Sequence, residues 1–209
     1  MNAASDPPAM GKRCARRSPS AGTSLTEALV VVCAASTLVS LAVAGVGDAR
    51  DRIHAAGAAR HLGALVQSAR SHAIQSGRTT ALRFTADGGG VVVRRFVDGN
   101  RNGVRADDIA RGVDVSDGTA FVLGEQFPGV SFGLVAGATD VETGTGLSGA
   151  GVRVGSAGML SFAPAGTSSS GTLYVRGSGD TQYAVRVLGG TGRVRVLRFD
   201  RPGSRWVSP

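Results

Sequence analysis

A single carboxylate, Glu27, stands at the head of an otherwise uncharged apolar run, Ala28 to Val46. A charge at the edge of a membrane-length apolar segment is costly, and such charges are usually functional. Three further groups of residues could do chemistry. His54, His61 and His72 recur along a stretch with helical periodicity. Asp98, Asn100 and Asn102 set oxygen donors at positions 1, 3 and 5 of a loop with Gly103 at position 6, as a calcium loop begins. Arg193 and Arg195 alternate near the C-terminus, with Arg186 across the Gly189-Gly190 turn and Arg198, Arg201 and Arg205 beyond.

Spacing and charge separate these candidates. Seven residues of helix rise about 10 Å, too far for His54 and His61 to share one ion; all three histidines are expected beside an apolar stripe. The twelfth position of the Asp98 loop is Ile109, Asp108 falls one residue early, and Arg101 and Arg105 add positive charge. An Asp/Asn-rich loop bonding its own backbone is the simpler expectation, with Asp98, Asn100, Asn102 and Asp108 as the candidate calcium ligands. Arginines on an exposed strand face can contact phosphates without reading sequence, so Arg193, Arg195, Arg186 and Arg198 form a candidate DNA-binding face, with Trp206 near enough in sequence to stack on a base. A solvated strand face is the alternative. There is no Ser-His-Asp cue, no zinc spacing and no phosphate loop; Gly88-Gly89-Gly90 lacks a following helix and Lys. Neither an enzyme nor a cofactor is expected.

The elements that carry these residues begin with the apolar run. Thr23 to Val46 is 24 residues, about 36 Å of helix against a bilayer core of about 30 Å. The leader before it holds Lys12, Arg13, Arg16 and Arg17 against Asp6; without it, 19 Arg face 14 acids. An ordinary secretory signal would have a shorter core and a small-x-small site after it, for which Ala42-Val43-Ala44 could serve. It would gain nothing from Glu27. Cys33 follows Val32 where a lipoprotein site needs a small residue, and with Cys14 it gives the body of the chain no disulfide.

Gly22, Glu27 as the fifth residue after it, and some 20 apolar residues resemble the type IV prepilin signal. The resemblance implies cleavage by a prepilin peptidase between Gly22 and Thr23, retention of the apolar helix, and a role for Glu27 in assembly. The amine freed on Thr23 of one subunit could pair with Glu27 of a neighbour, each removing the other's desolvation cost. The leader cations would stay cytoplasmic. The family usually has an N-methylated Phe or Met after the cut, where this chain has Thr23, and a Pro near the end of the run, where it has Ala44-Gly45.

Asp48 to Ser76 continues the helical pattern, with Leu62, Leu65, Val66, Ala69 and Ala73 on one stripe and Gly77 as a stop. From Arg78 the pattern changes to short alternating strands between glycine-rich turns, consistent with 32 Gly in 209 residues. The stretches Ala136–Gly151 and Ala165–Gly171 are expected to be mobile loops. The order of elements, with Leu160-Ser161-Phe162-Ala163-Pro164-Ala165-Gly166 and a final Gly192-Arg193-Val194-Arg195 strand, resembles the GspH/FimT family of minor pseudopilins. The expected fold is α+β: a long N-terminal spine helix, membrane half plus periplasmic half, packed on an antiparallel β-sandwich-like domain. The expected boundaries are a leader at 1–22, an assembly helix at 23–47, an amphipathic spine at 48–77 and a β-rich domain at 78–209.

By that resemblance the chain is a structural subunit at or near the tip of a type II secretion pseudopilus, held in the bacterial inner membrane by one span with its globular domain periplasmic. Its expected partners are the prepilin peptidase, other pseudopilins of the fibre and the inner-membrane assembly platform. The alternatives are a type IV pilus minor pilin that primes assembly or binds DNA for uptake through the arginine face, and a soluble periplasmic domain behind a signal peptide.

Overall fold

The computed structural model describes residues 24–88, 90–146, 149–155 and 157–209, with the side chains of 41–46 excepted. Gly22 and Thr23, the expected processing site, lie outside the described residues. One helix, α1 (Leu25–Ser76), runs across the division between two compact units, Met1–Val43 and Ala44–Pro209. In the first unit its described apolar side chains, Leu29, Val32 and Leu38 among them, are exposed. Among the described residues no helix is long and apolar enough to cross a membrane; of the expected span, 23–46, residue 23 and the side chains of 41–46 lie outside the described residues.

In the second unit α1 becomes a core element. Ala55, Ala58, Ala59, Leu62, Val66, Ala69 and Ala73 are buried on one side, and Leu65 packs partly against them. At Gly63 the helix faces the strand Arg193–Asp200, with Val196 and Val194 at ordinary contact distance (3.5 and 3.8 Å) from where a Cβ would stand. The helix stops one residue before Gly77.

Two antiparallel sheets share this core. The first contains β1 (Thr80–Asp87), β2 (Gly90–Val97), β3 (Val115–Ser116) and β7 (Met159–Phe162) in the order β3-β2-β1-β7, with β4 (Phe121–Val122) also on β2. The second contains β5 (Ser131–Phe132), β8 (Gly171–Arg176), β9 (Gln182–Leu188), β10 (Arg193–Asp200) and β11 (Arg205–Val207) in the order β11-β10-β9-β8-β5, with β6 (Val152–Arg153) on β8. Leu82, Phe84, Leu160 and Phe162 of the first sheet and Leu173, Val175, Val185 and Val187 of the second join the helical stripe in one cluster. Alternation along each strand puts these side chains inward. The architecture is α+β.

Two short helices, α2 (Ala106–Ala110) and α3 (Leu123–Gln126), and β11 go beyond the sequence reading. Each is too short for hydrophobic periodicity to register.

The two loops expected to be mobile are tied down by hydrogen bonds. In 136–146, the buried Asp140 accepts hydrogen bonds from the Glu142 and Thr143 N–H groups (2.7 and 3.0 Å), pairs with Arg153 at 2.6 Å and accepts the Tyr174 hydroxyl at 3.3 Å. In the serine run, Ser169 donates from its backbone to Ser161 O and Ser168 to Gly189 O, which links β7 to the turn after β9. Low apolar content concealed this order because polar groups supply it.

Candidate functional site

Glu27 lies in the first turn of α1, exposed, and its N–H donates to Ser24 Oγ at 3.3 Å. Ser24 therefore caps the helix, and Glu27 is the third helical residue, where a carboxylate also meets the positive end of the helix dipole. The Ser-x-x-Glu spacing is a capping signal that the sequence carries but that sequence reading passed over. It gives Glu27 a local role besides any contact with a neighbouring subunit.

The three histidines go to separate places. His54 Nδ1 is 3.0 Å from Pro128 O, and His61 stacks on Phe121 with ring centroids 4.9 Å apart. His72 lies 3.2 Å from Thr80 Oγ1 and 3.4 Å from Asp117, which also pairs with Arg95 at 2.7 Å. Thr80, His72 and Asp117 have the order of a hydroxyl–imidazole–carboxylate relay. Thr80 is fully buried, so no substrate carbonyl can reach its oxygen.

In the Asp98 loop the candidate metal donors face protein N–H groups. Asp98 Oδ1 accepts from the Asn100 and Arg101 N–H groups (3.1 and 2.7 Å) and Oδ2 from Gly103 N–H at 2.8 Å. Asp108 accepts from Asn102 Nδ2 at 3.0 Å and pairs with Arg111 at 2.6 Å. The Asn102 bond is the main cause of an Asp108 pKa below the ordinary aspartate value. Asp114, which sequence reading passed over, clamps the loop from beneath by accepting from Gly99 and Arg105 N–H groups. Among the described residues no group of His, Cys, Asp or Glu side chains is arranged to hold a metal.

The arginine candidates divide between two faces of the second sheet. In β9 and β10, Arg186 stands opposite Arg195, Leu188 opposite Arg193, and Tyr183 opposite Arg198. Directly opposed residues share a face and successive residues alternate. Arg186, Arg193 and Arg195 therefore occupy the outer face. Arg198 shares a face with Tyr183, Val185 and Val196, which pack toward α1, and it lines a groove of about 690 Å³ with Asp48 and Arg52 of the helix. It is not part of the face bearing Arg193 and Arg195. Trp206 is also committed: its Nε1–H donates to Thr139 O at 2.9 Å and its ring contacts Tyr174 and Phe199. It holds the 136–146 loop rather than offering a free stacking surface.

Two contacts that periodicity could not reveal fasten α1 to the sheets. Asp51 Oδ1 accepts from the Ser178 N–H (2.6 Å) and hydroxyl (2.8 Å) in the β8–β9 turn, and a Cβ on Gly177 would collide with its carboxylate. Burial alone would raise the Asp51 pKa, but bonds from Ser178, Thr181 and Gly179 outweigh it and hold the pKa below the ordinary value. Nineteen residues on, Arg70 Nε donates to Gly166 O at 2.8 Å and lies against Gly192. Gly192 has φ +61°, and an added Cβ would stand 2.6 Å from Arg70 Nε. The glycine of the Gly-Arg-Val-Arg segment thus seats the helix, whatever its arginines do.

The profile of the type II transport protein GspH matches residues 58–192, from the helical stripe to the start of β10. The chain belongs to the GspH family. The matched span of this GspH-family protein covers every strand of the first sheet and β5, β6, β8 and β9 of the second, and stops just short of β10 with Arg193 and Arg195. Two solved structures of the minor pseudopilin EpsH from the type II secretion system of Vibrio cholerae are similar to it. One has a TM-score of 0.43 and 16% identity over 69% of this chain and 97% of that one; the other has 0.40 and 15% over 69% and 94%. No curated protein sequence matches the chain.

Proposed function

We propose that this GspH-family chain is a minor pseudopilin: a structural subunit at or near the tip of a type II secretion pseudopilus, matured by cleavage between Gly22 and Thr23 and held in the inner membrane by its apolar helix until assembly. The observation that carries this reading is α1. One continuous helix exposes its apolar side chains in its first part and buries an apolar stripe under both sheets in its second. Such a helix suits a subunit that moves from bilayer to fibre, because exposed apolar side chains need lipid or other helices to cover them. Prepilin peptidase, neighbouring pseudopilins and the inner-membrane platform are the partners this role requires. Mass spectrometry of the mature N-terminus tests it. A chain beginning at Thr23 is expected, and one beginning near Gly45 would indicate a signal peptide and a soluble product.

A second reading has its own support. Arg193 and Arg195 are exposed on the outer face of β10 and form no ion pair among the described residues. Two residues along a strand are about 7 Å apart, a spacing that lets both guanidiniums meet neighbouring phosphates of one strand. In this reading the subunit belongs to a type IV pilus and holds DNA by its backbone. Mobility shift at several salt concentrations with Arg193→Ala/Arg195→Ala separates the readings: loss of binding supports the second, and no binding at low salt removes it.

A further inference from the structure

Arg186 and Arg195 face each other across β9 and β10. Their Cβ atoms are therefore about 5 Å apart, and like charges so placed are destabilising. The loop over this face supplies the missing charge: Glu142 Oε1 pairs with Arg186. Its position is imposed by the residues just before it. Asp140, two residues earlier, is fixed by Arg153 and Tyr174, and Thr139 is held by Trp206. Glu142 itself remains well exposed, and its pairing carboxylate is the one acidic group on Arg186 among the described residues. β11 pairs only with Arg198 to Asp200, so among the described residues no strand pairs with the edge of β10 beside Arg193 and Arg195.

We propose that Glu142 is an internal counter-ion that withholds Arg186 from the Arg193/Arg195 face, and that a nucleic-acid phosphodiester backbone docking there displaces Glu142 and completes a three-guanidinium site. This rests on the second reading above. The exchange replaces one anion by another at Arg186, so the buried Asp140 anchor need not move. Glu142 then lowers affinity for isolated anions and favours a polyanion that engages Arg193 and Arg195 at the same time. It also neutralises Arg186 where no nucleic acid is present.

The test is fluorescence anisotropy of a labelled short duplex DNA with the full chain in detergent micelles, titrated at several salt concentrations. Wild type is compared with Glu142→Gln, Arg186→Ala and Arg193→Ala/Arg195→Ala, each first checked for an unchanged melting temperature. Glu142→Gln is expected to bind several-fold tighter, with a salt dependence steeper by about 0.9 in log–log slope, because in wild type the displaced Glu142 carboxylate takes up a cation that offsets one released from the DNA. Adding Arg186→Ala to it should abolish that gain. Equal affinity and slope for wild type and Glu142→Gln, with binding still lost in Arg193→Ala/Arg195→Ala, would overturn the counter-ion role and leave the arginine face standing. Unchanged binding in Arg193→Ala/Arg195→Ala, or no binding by any form, would remove the face and the counter-ion role together. Poly-glutamate competing as well as DNA at equal charge would overturn the nucleic-acid assignment in favour of an acidic protein surface.

Discussion

At Asp51 one carboxylate accepts bonds from a turn 127 residues away in sequence and ties the helix to the second sheet at that point. Hydrogen bonds to charged groups contribute about 1.5–3 kcal/mol when well shielded. Asp51 is only half-buried, so Asp51→Ala is expected to cost about 1–2 kcal/mol, read as a lowered urea midpoint. Gly177→Ala should give a similar loss by pressing a methyl group on the same carboxylate. Asp51, Asp108 and Asp140 all have pKa values below that of an unfolded aspartate. Such a group contributes stability that is fully present above its unfolded pKa, about 3.9, and is lost as pH falls through the lower folded value. Urea midpoints should therefore stay level from neutral pH to about 5 and fall steeply below about 4. Asp51→Asn should show a shallower fall, and an unchanged slope would assign the acid sensitivity elsewhere.

Elements behave according to what covers them. The α1 stripe was plain in the sequence because five apolar residues recur at helical spacing. Leu62, 1% exposed, is expected to cost about 2–5 kcal/mol on truncation to Ala, and the half-buried Leu65 clearly less, by thermal or urea unfolding. The 136–146 loop gave no such signal, since its order comes from Asp140, Arg153, Tyr174 and Trp206 meeting from distant segments. Asp140→Asn is expected to speed amide exchange at Glu142 and Thr143, whose N–H groups lose their charged acceptor, while leaving the β9 amides protected. In β10, alternation alone assigned Arg193 and Arg195 to one face and Val194 and Val196 to the other. The same count places Arg198 with the valines, and the register with Tyr183 makes that assignment concrete. Arg198→Ala is accordingly expected to leave any DNA binding unchanged where Arg195→Ala reduces it.

For the whole molecule, assembly is the measurable property. Glu27→Ala is expected to leave cleavage between Gly22 and Thr23 largely intact and to block incorporation into a fibre, followed by mature mass and by recovery of the subunit with sheared pseudopili. Normal incorporation of that variant would leave Glu27 with its place in the first turn of α1 and nothing more. Much of this architecture is written in local pattern: the charge at Glu27, the apolar run, the stripe from Leu62 to Ala73 and the alternation of the strands are properties of neighbouring residues, and neighbours are what a sequence displays. The tertiary structure alone decided which polar groups are engaged. Asp51 with Ser178, Arg70 with Gly166, Asp140 with Arg153, and Glu142 with Arg186 join segments far apart in the chain. A hydrogen bond or ion pair needs its two partners within a few ångströms, and that distance is set by how the sheets fold around the helix.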